Sequence, residues 1–169
     1  MIKKFAIFAI IAVALAYWFY PSPPTPELSS QPADIVISGV FDPAKLKSKE
    51  VWRQVLTKEQ FYILQEAGTE IPYTGELNGE KRPGTYYSQG CDVPLFRSEM
   101  KYYSVTGWPS FTAPINTSSV VLRREGVGDD RIEVLDPCGG HLGHVFDDGP
   151  KPTGKRYCMN SVALRFIPD

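Results

Sequence analysis

Histidine and cysteine are scarce in this chain, and neither sign of charge is in excess. The 169 residues include two histidines and three cysteines, and the formal net charge is −1. Positive residues are scattered, with no run long enough to follow a phosphate backbone, so nothing indicates nucleic acid as a partner. A chain of this length can bury a single core. The sequence therefore predicts one small domain in which few residues can do chemistry.

Long apolar runs are also missing, except near the N-terminus. Lys3 and Lys4 precede an apolar run over residues 5–20, which is the layout of an export signal. Residues 14–16 offer a cleavage site, whereas the aromatic cluster at 17–20 favours an uncleaved membrane anchor. The leading lysines predict that the rest of the chain is exported, to the periplasm if the source is bacterial. No cysteine follows the apolar run, which excludes lipoprotein attachment.

Composition changes again after the apolar run. Residues 21–34 read PSPPTPELSSQPAD, which predicts an extended spacer that cannot form a core. The predicted organisation is a signal peptide or signal anchor at 1–20, a Pro-rich linker at 21–47 and a folded domain at 48–169.

The predicted domain opens with helix and continues with strands. Residues 48–68 have helical spacing, with a capping box at Thr57 and Gly68 at the position of a C-terminal cap. Beyond Gly75, short alternating segments are separated by Gly, Pro, Asp and Ser turns. No second long helix is available to cross between them. We therefore expect a mainly β domain, with antiparallel strands and a short N-terminal helical segment.

One stretch, residues 138–166, holds both histidines and two of the three cysteines. Cys158 precedes the alternating run at 162–166, so its thiol is expected at the head of a strand. Turn formers dominate residues 147–154, which allows the chain to fold back and bring His144 close to Cys158.

Cys158 has two interpretations. A single cysteine is often a small buried apolar residue. Cationic neighbours lower a thiol pKa, however, and Lys155, Arg156 and the two histidines supply positive charge nearby. Nucleophilic cysteine chemistry is therefore the favoured hypothesis.

Two other classes of function stay open. Cys138, His141 and His144 have the spacing C-x-x-H-x-x-H and could ligate a metal, although a fourth ligand is not evident. Alternatively, a non-catalytic module could bind a partner through Trp108, which lies either in the core or at a sheet end. Binding alone needs no nucleophile, and the surroundings of Cys158 argue against that alternative.

Three motifs occur in a fixed order: GWPSF at 107–111, HLGHVFDDGP at 141–150 and RYCMNS at 156–161. Together they resemble the methionine sulfoxide reductase B family, over about residues 51–166. The resemblance implies a twisted two-sheet antiparallel β fold. It also implies the activity of a peptide-methionine (R)-S-oxide reductase, which reduces methionine-R-sulfoxide in oxidised proteins with no bound cofactor. The domain at 48–169 is then the catalytic domain, expected to be monomeric.

The resemblance and the chemistry together assign the reacting groups. Cys158 attacks the sulfoxide sulfur and becomes a sulfenic acid. His144 is the first choice for the acid that protonates the oxygen, and His141 the second. Asp148 could orient His144 or could be an ordinary turn residue.

The remaining site residues would hold the thiolate and the substrate. Arg156 is expected to favour the thiolate, and Asn160 to form hydrogen bonds within the site. In the family, the tryptophan at the position of Trp108 forms an apolar wall for the substrate methyl group, and Phe146 is expected beside it. Sulfur and methyl groups both contact aromatic rings favourably.

Two cysteines that many members of the family carry are missing from this chain. Many members carry two C-x-x-C pairs that bind a structural zinc, but here residues 88–91 read SQGC and residues 135–138 read LDPC. The four-cysteine zinc site is therefore predicted to be lost. Zinc-bound sulfurs lie about 2.3 Å from a shared metal, and an exported protein meets an oxidising environment. A Cys91–Cys138 disulfide is predicted in its place, with two buried free thiols as the alternative.

A second departure concerns recycling. Many members have a resolving cysteine two residues before the motif tryptophan, where this chain has Thr106. Threonine cannot form a disulfide. The sulfenic acid on Cys158 is therefore predicted to be reduced by an external thiol, thioredoxin-like or of the glutathione type.

Overall fold

The computed structural model describes residues 35–126 and 131–169. These residues form two short α-helices and ten strands. The elements are β1 Ile35–Ser38, α1 Lys49–Val55, α2 Lys58–Glu66, β2 Gly84–Ser88, β3 Pro94–Arg97, β4 Lys101–Tyr102, β5 Ser110–Phe111, β6 Val121–Arg124, β7 Ile132–Leu135, β8 His141–Phe146, β9 Arg156–Met159 and β10 Leu164–Pro168. Short 3-10 turns lie at Glu76–Gly79, Ser98–Met100 and Ser161–Ala163.

The helical segment is divided in two by the capping box. The Thr57 side chain accepts the backbone N–H of Gln60, and the Gln60 side chain accepts that of Thr57, so the predicted capping box is confirmed. A helix that begins at this cap cannot also continue from the preceding one, and α1 ends before it. At the other end, Ala67 has the left-handed conformation, one residue earlier than the predicted Gly68 cap.

All described strand pairs are antiparallel, and they form two sheets. The larger sheet has the order β1-β6-β7-β8-β9-β5-β4, and the smaller has the order β10-β2-β3. The predicted mainly β, antiparallel two-sheet fold is confirmed. Strand β9, which carries Cys158, is an inner strand of the larger sheet.

Three details differ from the sequence-based prediction. Strands β1 and β4 were not predicted, and β1 lies inside the segment expected to be linker. Cys158 is the third residue of β9 rather than the head of a strand running on to Phe166. The chain instead turns at Ser161–Ala163 and enters the smaller sheet as β10.

A single core joins the two sheets. Tyr86 and Phe96 from the smaller sheet pack against Phe111 of the larger, with ring centroids 4.9 and 4.3 Å away. Burial of each such side chain contributes about 1.5–3 kcal/mol. Because side chains alternate along a strand, Tyr157 and Met159 enter this core while Cys158 faces the opposite side of the sheet. The core thus holds the backbone on both sides of the thiol.

A smaller cluster packs the helices against two loops. Trp52 of α1 and Phe61 of α2 lie against Cys138, which follows β7. Cys138 is bonded to Cys91, which follows β2, with a Cα–Cα distance of 5.7 Å. The disulfide therefore joins loops from the two sheets.

The predictions for the N-terminus concern residues that lie mostly outside the described part of the chain. The segments 1–20 and 21–34 lie outside the described residues, and the boundary at 47/48 stays a prediction. Within residues 35–126 and 131–169, no helix has both the length and the apolar character to cross a bilayer.

Candidate active site

The register of the larger sheet places three reactive side chains in one row. Cys158 of β9 stands directly opposite His144 of β8 on one side and Ser110 of β5 on the other. Directly opposed residues on antiparallel strands share a face, with Cβ atoms about 4.5–5.5 Å apart. An imidazole and a hydroxyl therefore flank the thiol.

Gly143 permits the close approach of β8 and β9 at this point. A Cβ on Gly143 would lie 2.1 Å from the backbone oxygen of Cys158, far inside van der Waals contact. Its φ of +153° is also one that side chains disfavour. The glycine of the HLGH motif is thus needed to keep His144 in register with Cys158.

The row opens into a shallow cleft of about 170 Å³. Its lining combines aromatic faces, an imidazole, a guanidinium, an amide and the thiol. The lining residues are Thr69, Trp108, Arg131, Gly143, His144, Phe146, Cys158 and Asn160. Five of the predicted site residues are therefore brought together: Trp108, His144, Phe146, Cys158 and Asn160.

The segment at Glu70 holds both Trp108 and Asn160. The indole N–H of Trp108 donates to the backbone oxygen of Glu70 (3.2 Å), and the Asn160 side-chain oxygen accepts the Glu70 backbone N–H (3.0 Å). The Glu70 carboxylate accepts the backbone N–H groups of Ser161 and Val162, at 2.7 and 3.0 Å. Burial raises the pKa of Glu70, against the effect of these two donors. One residue thus fixes an aromatic wall and an amide of the cleft.

His144 pairs with a glutamate that the sequence did not point to. Its Nε2 lies 3.1 Å from the carboxylate of Glu125, and Arg131 lies 2.8 Å from the other oxygen of that carboxylate. Glu125 thus places a carboxylate directly beside the imidazole. Glu125, and not the predicted Asp148, is therefore the partner of His144.

Asp148 instead binds Arg156. Two hydrogen bonds of 2.8 Å join the guanidinium to the Asp148 carboxylate, and this contact lowers the pKa of Asp148. The Arg156 guanidinium also lies 4.4 Å from the ring centroid of Phe146. The proposed role of Asp148 beside His144 is thus corrected, because its side chain pairs with Arg156 at the rim. The Arg156 guanidinium thus contacts both Asp148 and Phe146, a wall of the cleft.

His141 does not reach the cleft. It is 2% exposed, and its Nδ1 lies 2.7 Å from the buried carboxylate of Glu133. Arg123 binds the other oxygen of Glu133 at 2.6 Å. Burial raises the pKa of Glu133, but the bonds from His141 and Arg123 outweigh it, and the net pKa is lowered. His141 contacts the His144 ring edge at a centroid distance of 5.3 Å, so it supports His144 rather than substrate.

The thiol of Cys158 is less acidic than its neighbours led us to expect. Burial raises its pKa, while Thr106, Arg156 and Ser110 lower it, and burial prevails. Lys155 is not among the groups that shift this pKa, and its ammonium group binds Asp147. The expected net lowering of the Cys158 pKa by cationic neighbours is therefore wrong.

The residues near Cys91 do not fit a four-sulfur zinc site. Two of the four positions are Ser88 and Leu135, and the two remaining sulfurs are bonded to each other. The buried carboxylate of Asp136 lies beside them and could supply a third ligand atom if the disulfide were open. Its oxygens, however, already accept the Ser88 hydroxyl at 2.5 Å and the Cys138 N–H at 2.9 Å. Burial nevertheless raises the pKa of Asp136.

Comparison with known proteins decides the family. The SelR domain model matches residues 56–168. A peptide methionine sulfoxide reductase MsrB from Pseudomonas putida is 52% identical over 124 residues, covering 72% of this chain and 93% of that protein. The chain belongs to the methionine sulfoxide reductase B family. The predicted resemblance is confirmed.

Other MsrB proteins are similarly close. The Methanosarcina barkeri peptide methionine sulfoxide reductase MsrB is 50% identical over 122 residues, which is 71% of this chain and 86% of that protein. Rat methionine-R-sulfoxide reductase B2, mitochondrial, is 49% identical over 130 residues, which is 72% of this chain and 75% of that protein. The MsrB match thus spans most of each relative.

The predicted localisation is corrected by these findings. We expected an exported MsrB protein held by a membrane anchor. No helix in the described part of the chain could cross a membrane, and the rat MsrB relative carries a mitochondrial name. The prediction of export is contradicted, and the predicted membrane partner is not supported.

Sequence reasoning missed several residues of this MsrB site. Glu70 and Glu125 hold Trp108 and His144 through contacts between distant parts of the chain. Neither glutamate belongs to the three motifs. The only local signal for Glu125 is its place one residue after β6, a strand that is separated from the motif strand β8 by β7.

Proposed function

We propose that Cys158 is the nucleophile with which this chain reduces methionine-R-sulfoxide in proteins, and that His144 is the acid. As an MsrB family member, the chain is a peptide-methionine (R)-S-oxide reductase, an oxidoreductase. One observation carries the residue assignment: Cys158 and His144 are cross-strand neighbours in a cleft walled by Trp108.

Substrate binding uses the aromatic walls. Trp108 and Phe146 offer flat apolar surfaces to the S-methyl group, and sulfur near aromatic rings gains about 0.3–1.5 kcal/mol. The side chain of Asn160 donates to the Leu142 oxygen and accepts from Glu70, so its position is fixed from two sides. The walls thus hold the sulfoxide sulfur beside Cys158.

The chemical step moves one oxygen atom between two sulfurs. The Cys158 sulfur attacks the sulfoxide sulfur, the S–O bond to methionine breaks, and an S–O bond to Cys158 forms. Methionine is reduced by two electrons, and Cys158 is oxidised to the sulfenic acid. Burial raises the pKa of this thiol, which favours its protonated form. The thiol proton is therefore the proton that the new S–OH group needs. His144 can carry it from the Cys158 sulfur to the departing oxygen.

Recycling requires thiols from outside the chain. The other two cysteines are bonded to each other, and Thr106 stands 3.9 Å from the Cys158 sulfur. A first external thiol forms a mixed disulfide with the sulfenic acid and releases water. A second thiol then restores Cys158 and leaves as a disulfide with the first. A dithiol protein of the thioredoxin type supplies both.

The contacts of Cys91, Cys138 and the two histidines argue that this chain uses no structural zinc. The Cys91–Cys138 disulfide takes the place that two cysteine pairs would fill. The disulfide was predicted partly because an exported protein meets an oxidising environment. Export is contradicted, so the disulfide is supported by the distance between Cys91 and Cys138. The alternative C-x-x-H-x-x-H metal site is disfavoured: Cys138 is in the disulfide, His141 binds Glu133, and His144 binds Glu125.

An assay with separated sulfoxide epimers tests the proposal. The full chain, supplied with a dithiol, is expected to reduce a peptide carrying methionine-R-sulfoxide and to leave the S epimer unchanged. With substrate and no reductant, one sulfenic acid per chain should be trapped by a dione probe at Cys158. A Cys158→Ser variant is the control. Turnover of the R epimer by that variant would overturn the assignment.

A further inference from the structure

Three hydroxyl groups form a chain that ends at the Cys158 sulfur. Ser110, on the neighbouring strand, lies 2.7 Å from Ser104, and Ser104 lies 2.8 Å from Thr106 (all distances between side-chain oxygens). The Thr106 oxygen lies 3.9 Å from the sulfur, within reach of a hydrogen bond to sulfur. Ser110 is fully buried, which fixes one end of the chain.

The direction of these hydrogen bonds follows from counting protons. A hydroxyl has one proton to donate and two lone pairs to accept with. The Ser110 hydroxyl has two acceptors within reach, the Ser104 oxygen at 2.7 Å and the Trp108 backbone oxygen at 3.2 Å, and we take the shorter contact, to Ser104, as its hydrogen bond. The Ser104 oxygen also faces the Thr106 backbone N–H at 3.5 Å. With both lone pairs of Ser104 facing donors, its own proton is directed to the Thr106 oxygen. The Thr106 proton is then left for the sulfur of Cys158.

We propose that Thr106 is a catalytic residue, which donates a hydrogen bond to the sulfur of Cys158 when that sulfur is negatively charged. Ser104 and Ser110 are positioning residues that hold the Thr106 hydroxyl in its donating orientation. The inference deepens the proposed function, because it names what stabilises the charged nucleophile. It also gives Thr106 a role of its own, at a position where many family members carry a thiol.

Charge and burial make such a donor necessary. The Arg156 guanidinium also lowers the pKa of the Cys158 thiol, but it is shared with Asp148, to which it makes two hydrogen bonds. Burial raises the pKa of the thiol and so works against the thiolate, and the hydrogen bond with Thr106 is the largest single interaction that opposes this effect. A hydrogen bond from a neutral hydroxyl to an anion strengthens as the charge develops, because the acceptor becomes ionised.

The test compares Thr106→Val with Thr106→Ser. Valine has nearly the shape of threonine but no hydroxyl, whereas serine keeps the hydroxyl. The rate of Cys158 alkylation by iodoacetamide is measured against pH in the substrate-free chain, with the Cys91–Cys138 bond oxidised. A hydrogen bond to a charged group corresponds to about one pH unit. We expect the alkylation midpoint to rise by about one pH unit in Thr106→Val and to stay at the parent value in Thr106→Ser.

Ser104→Ala provides a second, independent reading. It removes the donor to Thr106 without touching the sulfur, so a smaller rise in the midpoint is expected. Thermal unfolding of each variant shows whether the fold is kept, and Ser104→Ala decides the question if Thr106→Val does not fold. Equal midpoints in the parent and in the folded hydroxyl-deletion variants would overturn the proposal. Alkylation needs no sulfoxide, so this result is independent of the epimer assay.

Discussion

Substitution of Glu70 should disturb several residues of the site at once. The change to test is Glu70→Gln, which keeps the shape of the side chain and removes its charge. The carboxylate accepts the N–H groups of Ser161 and Val162, one on each oxygen. Glutamine has one oxygen and one NH₂ group in their place. One backbone N–H would therefore face another donor.

The cost can be worked from this contact. A buried N–H without an acceptor costs about 1–3 kcal/mol. Removing a buried charge offsets part of that cost, because burial already disfavours the ionised form of Glu70. We expect Glu70→Gln to lower the free energy of unfolding by about 1–2 kcal/mol, within the range of these terms. Glu70→Ala removes both acceptors and should cost more.

Urea unfolding followed by tryptophan fluorescence measures the change. Glu66→Gln is the matched control, because Glu66 is an exposed glutamate at the end of α2. Its effect should stay within about 0.5 kcal/mol. Glu70→Gln should also lower kcat/KM for the sulfoxide, since the backbone of residue 70 holds Trp108 and Asn160. If Glu70→Gln matches the control in both measurements, the assigned role of Glu70 is refuted.

Three further changes test the polar network and the disulfide. Glu125→Gln removes the negative partner of His144 and should lower kcat about tenfold, which corresponds to about 1.4 kcal/mol; an unchanged kcat would argue against the pair. The pKa of Glu133 is lowered, so its ion pairs stabilise the fold fully above about pH 4.3, the usual glutamate value, and lose that effect as pH falls through the folded pKa. Glu133→Gln should therefore flatten the dependence of unfolding free energy on pH below about 4.3, and a slope equal to that of the parent would contradict the assignment. Replacing Cys91 and Cys138 together by alanine opens a loop of 47 residues and should cost about 4 kcal/mol, and a loss under about 1 kcal/mol in urea unfolding would show that the bond does little.

Local signals in the sequence predicted the parts of the fold that depend on neighbouring residues. The capping box at Thr57 needs only four residues, and it begins α2 as predicted. The alternation in HLGHVF marks β8, because a strand period of two is visible within six residues. Strand β1 was missed because it lies within the segment predicted to be linker, and β4 has two residues, too few to show a period of two.

The partners of the site residues could not be read in the same way. Asp148 is four residues from His144 in sequence, yet the β8–β9 turn directs it to Arg156. Glu125 reaches His144 because β6, β7 and β8 lie side by side in the larger sheet. No local sequence pattern indicates this strand order. Glu70 acts across 91 residues to Ser161. The sign of the Cys158 pKa shift was also missed, since burial is a property of the packed chain.

The size of the cleft limits which oxidised methionines can be repaired. A space of about 170 Å³ matches the end of one side chain. The thiol stands on an inner strand, so the enzyme offers no free sheet edge there for a substrate strand to join. The damaged residue has to project towards the enzyme. Oxidised methionines on mobile loops and tails should therefore be restored first, and those packed inside folded partners only after local unfolding exposes them.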